Sequence, residues 1–294
     1  MTAEWYAAPT SIAEAVDLLR RSPDALIVAG GTDLMPRLRR PRARVSGLTN
    51  RPFVSLRRVN SLDDVQFCRH RLSIGSVVTH ARIATDSILH SDATALVDVA
   101  VGIGSPAVRA WGTIGGTIAN ASRSMDAGPA LLVLGAEIEI VGAGYRRKES
   151  FADFLFGSHR TSLSAGEVIE TVTLRPTSLR TGSAFVKQGV RRVMDIAIAT
   201  AGAKVVLDHE NVIQQIELAV GNIGPLPVLL SELSDSFVGV RAEDAIRDIP
   251  RAVENAVAVN GDGRVPDDYR KAVCGQLAAR AFKLACDRVV TQGV

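Results

Sequence analysis

Leu26-Ile27-Val28-Ala29-Gly30-Gly31-Thr32-Asp33-Leu34 and, further along the chain, Gly112-Thr113-Ile114-Gly115-Gly116-Thr117-Ile118-Ala119-Asn120 repeat one device: apolar residues, a glycine pair and a threonine. A glycine pair at a strand end lets the backbone take positive φ and lets a bulky group come close. N–H groups exposed there form a nest for an anion, and the threonine hydroxyl adds a donor. One such turn says little. Two with the same chemistry read as two walls of one site gripping a ligand with two phosphates, which points to a dinucleotide. Neither turn is the Rossmann fingerprint: neither reads G-x-G-x-x-G, and no acid lies about 20 residues beyond the first. No Gly-Lys-Ser/Thr is present for a Walker loop. A site built from two separated Gly-Gly turns needs a different fold.

The flanking sequence supplies the elements. Ser11-Ile12-Ala13-Glu14 reads as a capping box, and Ile12, Val16 and Leu19 form the stripe of a helix running to about Arg21. Leu26 to Ala29 reads as a short buried strand into the first glycine turn. Phe53–Leu56, Leu72–Val78 and Glu137–Val141 read as further strands. Thr79 and Asp92 are expected N-caps of short helices, and Asp126-Ala127-Gly128-Pro129 opens an apolar helix over 130–134. A second region begins near Arg175-Pro176-Thr177-Ser178. It has strands expected at Gly182–Gln188, Ala199–Leu207 and Val212–Val220, a loop at Asn222–Pro227, and closing helices over Ala242–Val259 and Pro266–Val290. Strands and helices without a regular βαβ rhythm predict an α+β fold rather than a doubly wound one.

The chain has 294 residues, 47% apolar and 22% charged, enough for a sizeable core and for two domains. Net charge is only +3, but arginine outnumbers lysine 29 to 5. No acid occurs from Leu34 to Leu62, where Arg37, Arg39, Arg40, Arg42, Arg44, Arg51, Arg57 and Arg58 crowd together. Such a stretch is a solvated basic face, or a surface for a partner or a cofactor phosphate. Nucleic acid is disfavoured because no aromatics interleave with the arginines. Cys68, Cys274 and Cys286 have no C-x-x-C spacing, so no iron–sulfur or structural zinc site is expected, and a sparse, odd count suits a reducing cytoplasm. Met1–Pro9 lacks the basic start and apolar core of a signal peptide, and no apolar run approaches the ~20 residues of a membrane span. His70, His80, His90, His159 and His209 lack metal-ligand spacing. The scattered Ser, His and Asp have no nucleophile-elbow context, which argues against a hydrolase.

The chain resembles the FAD-binding medium subunit of molybdenum hydroxylases of the xanthine dehydrogenase and carbon monoxide dehydrogenase type. The resemblance covers nearly the whole chain. It is carried by 28–34, by Thr113 through Ser122, by Asp126 with Pro129-Ala130-Leu131-Leu132, by Gly166-Glu167-Val168-Ile169, by Lys187-Gln188 with Arg192-Val193-Met194-Asp195-Ile196, and by Asp262-Gly263-Arg264. It implies the two-part FAD-binding fold of vanillyl-alcohol oxidase-like flavoproteins over 1–175, in subdomains of about 1–58 and 59–175. A small C-terminal α+β domain over 176–294 follows. Carried over by position, Ile27, Val28, Ala29, Gly30, Gly31, Thr32, Asp33 and Leu34 would wrap the FAD pyrophosphate with Thr113, Gly115, Gly116 and Thr117. Asp126 would accept from the adenosine ribose, Ile169 and Lys187 would lie along the flavin or adenine, and Ile196 near the isoalloxazine. Two positions depart from the family: Thr117 stands where Asn is usual, and Arg123 where Pro is usual.

Each residue also has a plainer reading. Asp126 caps a helix, Lys187 is a strand-surface lysine, Asp195 is structural, Thr32 and Thr113 hold their own turns, and Ile169 and Ile196 are core. The resemblance implies non-covalent FAD in an electron-transfer subunit, with no catalytic acid or base and no metal in this chain. The molybdenum cofactor and iron–sulfur clusters would belong to a large and a small partner subunit. The flavin would pass electrons to NAD, a quinone or another acceptor, and Ile196 favours NAD because the carbon monoxide branch usually has Tyr there. The alternatives are a free-standing FAD-dependent oxidoreductase acting on an organic substrate, and a scaffold that has lost its flavin.

Overall fold

Three separate apolar cores organise the chain. The structure, a computed structural model, describes residues 5–41, 47–68, 71–175, 177, 179–191 and 194–291. Arg42, Arg44, His70, Pro176, Ser178, Arg192 and Val193, named above, lie outside them.

The first core gathers Ala15, Val16, Leu19, Val54, Leu56 and Val59. Its helix Ile12–Arg21 starts as the capping box predicts: Ser11 Oγ accepts the Glu14 N–H at 3.2 Å. The Glu14 carboxylate reaches one residue further back, to the Thr10 N–H at 2.8 Å. Beneath the helix lies a parallel sheet with Phe53–Ser55 between Tyr6–Ala7 and Leu26–Val28. The strand Leu26–Val28 is not buried as expected. Its residues are half-buried, and Ile27 is 37% exposed, because this edge faces an open cleft.

The second core lies on an antiparallel sheet in the order Val65–Cys68, Arg71–Gly75, Val168–Leu174, Glu137–Gly142, Tyr145–Ser150. Short helices cover it. Thr79 is an N-cap as expected, its Oγ1 accepting the Arg82 N–H. Asp92 is not. The helix after it, Thr94–Gly102, has Ala93 at its N-cap and no side-chain cap, and Asp92 ends the helix Ser87–Asp92, which Asp86 caps by taking the N–H groups of Ile88 and Leu89. The Asp92 carboxylate instead accepts from Thr177 Oγ1 at 2.6 Å.

The third core lies between the antiparallel sheet Thr181–Gln188, Ala199–Leu207, Ile213–Gly221, Val228–Leu229 and the helices Ala242–Ala256 and Asp267–Thr291. Small residues set that approach: a Cβ at Gly182 would lie 2.0 Å from the Ala285 carbonyl. Asp98, on the helix Thr94–Gly102, fastens this unit to the second. Its carboxylate takes both Arg288 Nη groups at 2.7 Å and the Phe185 N–H at 3.0 Å. Among the described residues, no helix is long and apolar enough to cross a membrane.

Candidate cofactor cleft

A cleft of about 510 Å³ opens between the first two cores, within the range of small-molecule sites. Both glycine turns line it. They meet directly: a Cβ at Gly30 would lie 1.9 Å from the Trp111 carbonyl oxygen, so only glycine fits where the first turn presses on the backbone leading into the second. Gly31 takes φ +70°, the left-handed region that favours glycine. On the outer side, the Arg57 guanidinium stacks 4.2 Å from the Trp111 ring, so one arginine of the acid-free stretch has an architectural job.

The two pairs do not use their backbone alike. No acceptor among the described residues takes the N–H groups of Gly30, Gly31, Thr32 and Asp33. This row of unpaired donors is where an anion nest is expected. The second pair is not a strand-end turn. It opens the helix Ile114–Asn120, capped by Thr113, and its donors are spent. Ile114 N–H goes to Val78 O, Gly115 N–H to Ser76 O at 2.9 Å, and Gly116 N–H to Thr113 Oγ1 at 3.1 Å. Thr113 thus holds its own turn, and this wall offers side chains rather than a nest.

Ser76 and Thr117 supply those side chains. Ser76 is 3% exposed, lines the cleft, and its Oγ has no hydrogen-bond partner. A buried hydroxyl without a partner calls for one, and this one belongs to a residue of the cleft wall. Its backbone is set by the irregular register at 169/171, which frees the Glu170 carbonyl to accept the Ser76 N–H. Thr117 Oγ1 lies 2.9 Å from Nε2 of His80, behind the wall. Burial pushes the His80 imidazole down to about 4, so it is neutral at pH 7.

Asp126 and Ile169 also line the cleft, Asp126 toward the third core. The Asp126 carboxylate makes no cap hydrogen bond. It accepts from Lys187 Nζ at 2.8 Å, and the same ammonium donates to the Gly102 carbonyl at 2.7 Å. Burial raises the Asp126 carboxyl above its ordinary value, with the ammonium pulling it back. Lys187 is therefore no strand-surface lysine. It lines a neighbouring hollow with Gln188, Arg191, Met194 and Asp195. Ile196 lines neither space; it is 54% exposed on the adjoining limb, so it is not core. Asp195 is structural, taking the Arg191 N–H at 2.7 Å.

Sequence reasoning missed Ser76, and passed over His159, which lines the cleft with φ 59° and a ring nitrogen 2.8 Å from Asn120 O. It used Glu167 only as a matching residue. Glu167 is the hub of the cleft floor, accepting from Arg147, Tyr145 and the Ser164 N–H, and Arg147 above all holds its carboxyl down at about 2. No local pattern marks these groups, because their partners are distant in sequence.

Residues 1–177 match the family described as the FAD binding domain in molybdopterin dehydrogenase, and residues 184–285 match the CO dehydrogenase flavoprotein C-terminal domain. The glyceraldehyde dehydrogenase medium chain of Sulfolobus acidocaldarius is 29% identical over 95% of this chain and 96% of its own length. The carbon monoxide dehydrogenase medium chain of Afipia carboxidovorans is 28% identical over 95% and 96%. A solved Cu,Mo-CO dehydrogenase chain superposes with a TM-score of 0.87 at 26% identity, covering 96% of this chain and 97% of that one. A nest of free N–H groups, an orphan buried hydroxyl and a close-packed glycine seam fit a diphosphate-bearing cofactor. The chain belongs to the FAD-binding flavoprotein family of the molybdopterin dehydrogenases.

Proposed function

We propose that this chain carries one non-covalent FAD and works as the electron-transfer subunit of a molybdenum hydroxylase complex. Its partners are a molybdopterin-binding large subunit and an iron–sulfur small subunit, in a reducing cytoplasm that suits the buried thiols Cys274 and Cys286. The reading divides the chain near 175 into an FAD-binding domain and a C-terminal domain. The observation that carries it is a cleft lined both by the unpaired N–H row of Gly30–Asp33 and by the second glycine pair, Gly115-Gly116, with Ser76 among its walls.

In this reading the N–H row of Gly30–Asp33 binds the diphosphate, helped by Ser76 and Thr117. Asp126 accepts from sugar hydroxyls while Lys187 balances its charge. Ile27, Leu34 and Ile169 give apolar walls, and Ile196 stands by the exposed end. FAD supplies the electron chemistry; these residues bind, orient and tune it. The open, aliphatic Ile196 supports NAD as acceptor.

Gentle isolation from the source tests the assignment. Co-elution with molybdenum and iron and release of FAD on denaturation are expected. Repeated oxidation of an organic substrate by the metal-free chain would replace this reading with a free-standing flavoenzyme. Stopped-flow mixing with NADH tests the acceptor: no flavin reduction within minutes removes NAD.

A further inference from the structure

Thr117 stands on the helix Ile114–Asn120, half-buried, and lines the cleft. Its N–H is spent on the Thr113 carbonyl at 3.0 Å, so its hydroxyl is the donor left to serve a ligand. Behind it His80, 3% exposed, opens the helix His80–Ile83. The His80 N–H donates to the Gly112 carbonyl at 2.9 Å, which pins this residue to the start of the second turn. The ring also reaches the seam with the first turn. A Cβ at Gly112 would stand 3.1 Å from His80 Cδ2 and 3.4 Å from Thr32 Oγ1. The imidazole is thus held where the two glycine turns meet, with its Nε2 at 2.9 Å from Thr117 Oγ1. Among the described residues the Thr117 hydroxyl has no other hydrogen bond, so His80 governs how it turns.

One proton lies in that contact, and its direction decides what this wall offers. A hydroxyl has one proton and two lone pairs, and a neutral imidazole has one N–H, on either nitrogen. Burial keeps His80 neutral at pH 7. Where Nε2 accepts, the Thr117 proton points back at the ring, and lone pairs that repel an anion are left for the cleft. Where Nε2 carries the hydrogen, the ring donates to Oγ1 and the Thr117 proton is free to donate into the cleft. An asparagine, usual at this position, has two N–H donors of its own and needs no such arrangement. Threonine has a single proton and depends on its partner. The unpaired N–H row of Gly30–Asp33 lines the same cleft, and a row of donors calls for an anion. An anion selects the form of the pair that meets it with a proton.

We propose that His80 is a positioning residue whose Nε2–H donates to Thr117 Oγ1, turning the Thr117 hydroxyl proton into the cleft toward a phosphate oxygen of the cofactor. The inference rests on the FAD reading above and deepens it. The first wall meets the diphosphate with backbone, and the second with one hydroxyl aimed by a side chain that never touches the ligand. The pair is the counterpart, in this chain's own sequence, of the donors that an asparagine would bring.

The test uses the full chain. Ring nitrogen NMR of the FAD-loaded protein, labelled with 15N-histidine, reads the tautomer, and the His80 signals are those missing from His80→Gln. Hydrogen on Nε2 is expected; hydrogen on Nδ1 would overturn the proposal. FAD titrations then compare wild type, Thr117→Val, His80→Phe, the double variant and His80→Gln, with far-UV circular dichroism as the check on folding. Thr117→Val and His80→Phe should each weaken FAD binding about tenfold, the worth of one hydrogen bond to a charged group. The double variant should lose no more than either single one, because both remove the same contact. His80→Gln, whose amide can donate in the same direction, should recover most of the affinity that His80→Phe loses. Independent losses that multiply to about a hundredfold in the double variant would make His80 a packing residue only, and so would equal losses in His80→Gln and His80→Phe. If His80→Phe fails to fold, the tautomer and Thr117→Val decide. Wild type that binds FAD while Thr117→Val binds it equally well overturns this proposal alone, whereas a wild type that binds no FAD refutes the FAD reading as well.

Discussion

Asp126 occupies a helix N-cap position, yet its carboxylate faces Lys187 across the boundary between two cores. Asp126→Ala is therefore expected to weaken FAD binding by about 1.5–3 kcal/mol, the worth of a hydrogen bond to a charged group, and to lower apo stability by orphaning Lys187. Titration with FAD alongside apo melting checks both; unchanged affinity with lower stability would leave Asp126 purely structural. His80 sets a pH window. Its folded value, about 4, lies below the ordinary 6.5, so protons prefer the unfolded chain. Stability is then full above pH 6.5 and falls toward pH 4 by up to about 3 kcal/mol. His80→Gln should remove that decline in urea titrations at successive pH values. Glu167 and Asp262, both held near 2, lose their own contributions as the pH falls from the ordinary carboxylate values toward 2. The sequence named Asp126 and Thr117 through their motifs. It was silent on Lys187 as a partner and on His80 behind Thr117, because both pairings join residues remote along the chain.

The first glycine turn was legible as an element because strand, glycine pair and threonine are contiguous. The second misled, since the same letters open a helix whose capping threonine consumes the donors. Apolar residues before a glycine pair do not distinguish a strand end from a capped helix start. The two glycines of the first turn should also cost differently when replaced. Gly30→Ala drives a Cβ into the Trp111 carbonyl and is expected to destabilise by about 3 kcal/mol or more. Gly31→Ala meets only side chains, Met35 at 3.3 Å and Val28 at 3.6 Å, and pays for its left-handed backbone, about 1–2 kcal/mol. Urea denaturation without FAD gives the order, and a reversed order would refute the seam between the turns. The strand Tyr145–Ser150 went unread for another reason. It is a charged edge strand, with Arg147 turned to Glu167 and Lys148 to Glu139, so it shows no apolar alternation.

For the whole molecule, the α+β class was readable from the missing βαβ rhythm, and the three cores follow the chain in order with few crossings. How the cores dock was not readable, because it depends on single polar contacts such as Asp98 with Arg288 and the Phe185 N–H. Asp98→Ala is expected to cost about 2–3 kcal/mol, discounted for partial exposure, and to separate the melting of the third core from the rest in calorimetry. A single unshifted transition would show the docking to be independent of it. The Asp126–Lys187 pair has one more consequence, for biosynthesis. Synthesis runs from the N-terminus, so the ribosome delivers both glycine turns and Asp126 well before Lys187. A nascent chain stopped short of Thr181 would have the cleft walls but an unneutralised carboxylate at the rim. With Asp126 in its proposed role, flavin loading is expected to be a late, nearly post-translational event, and truncated or stalled chains should emerge colourless.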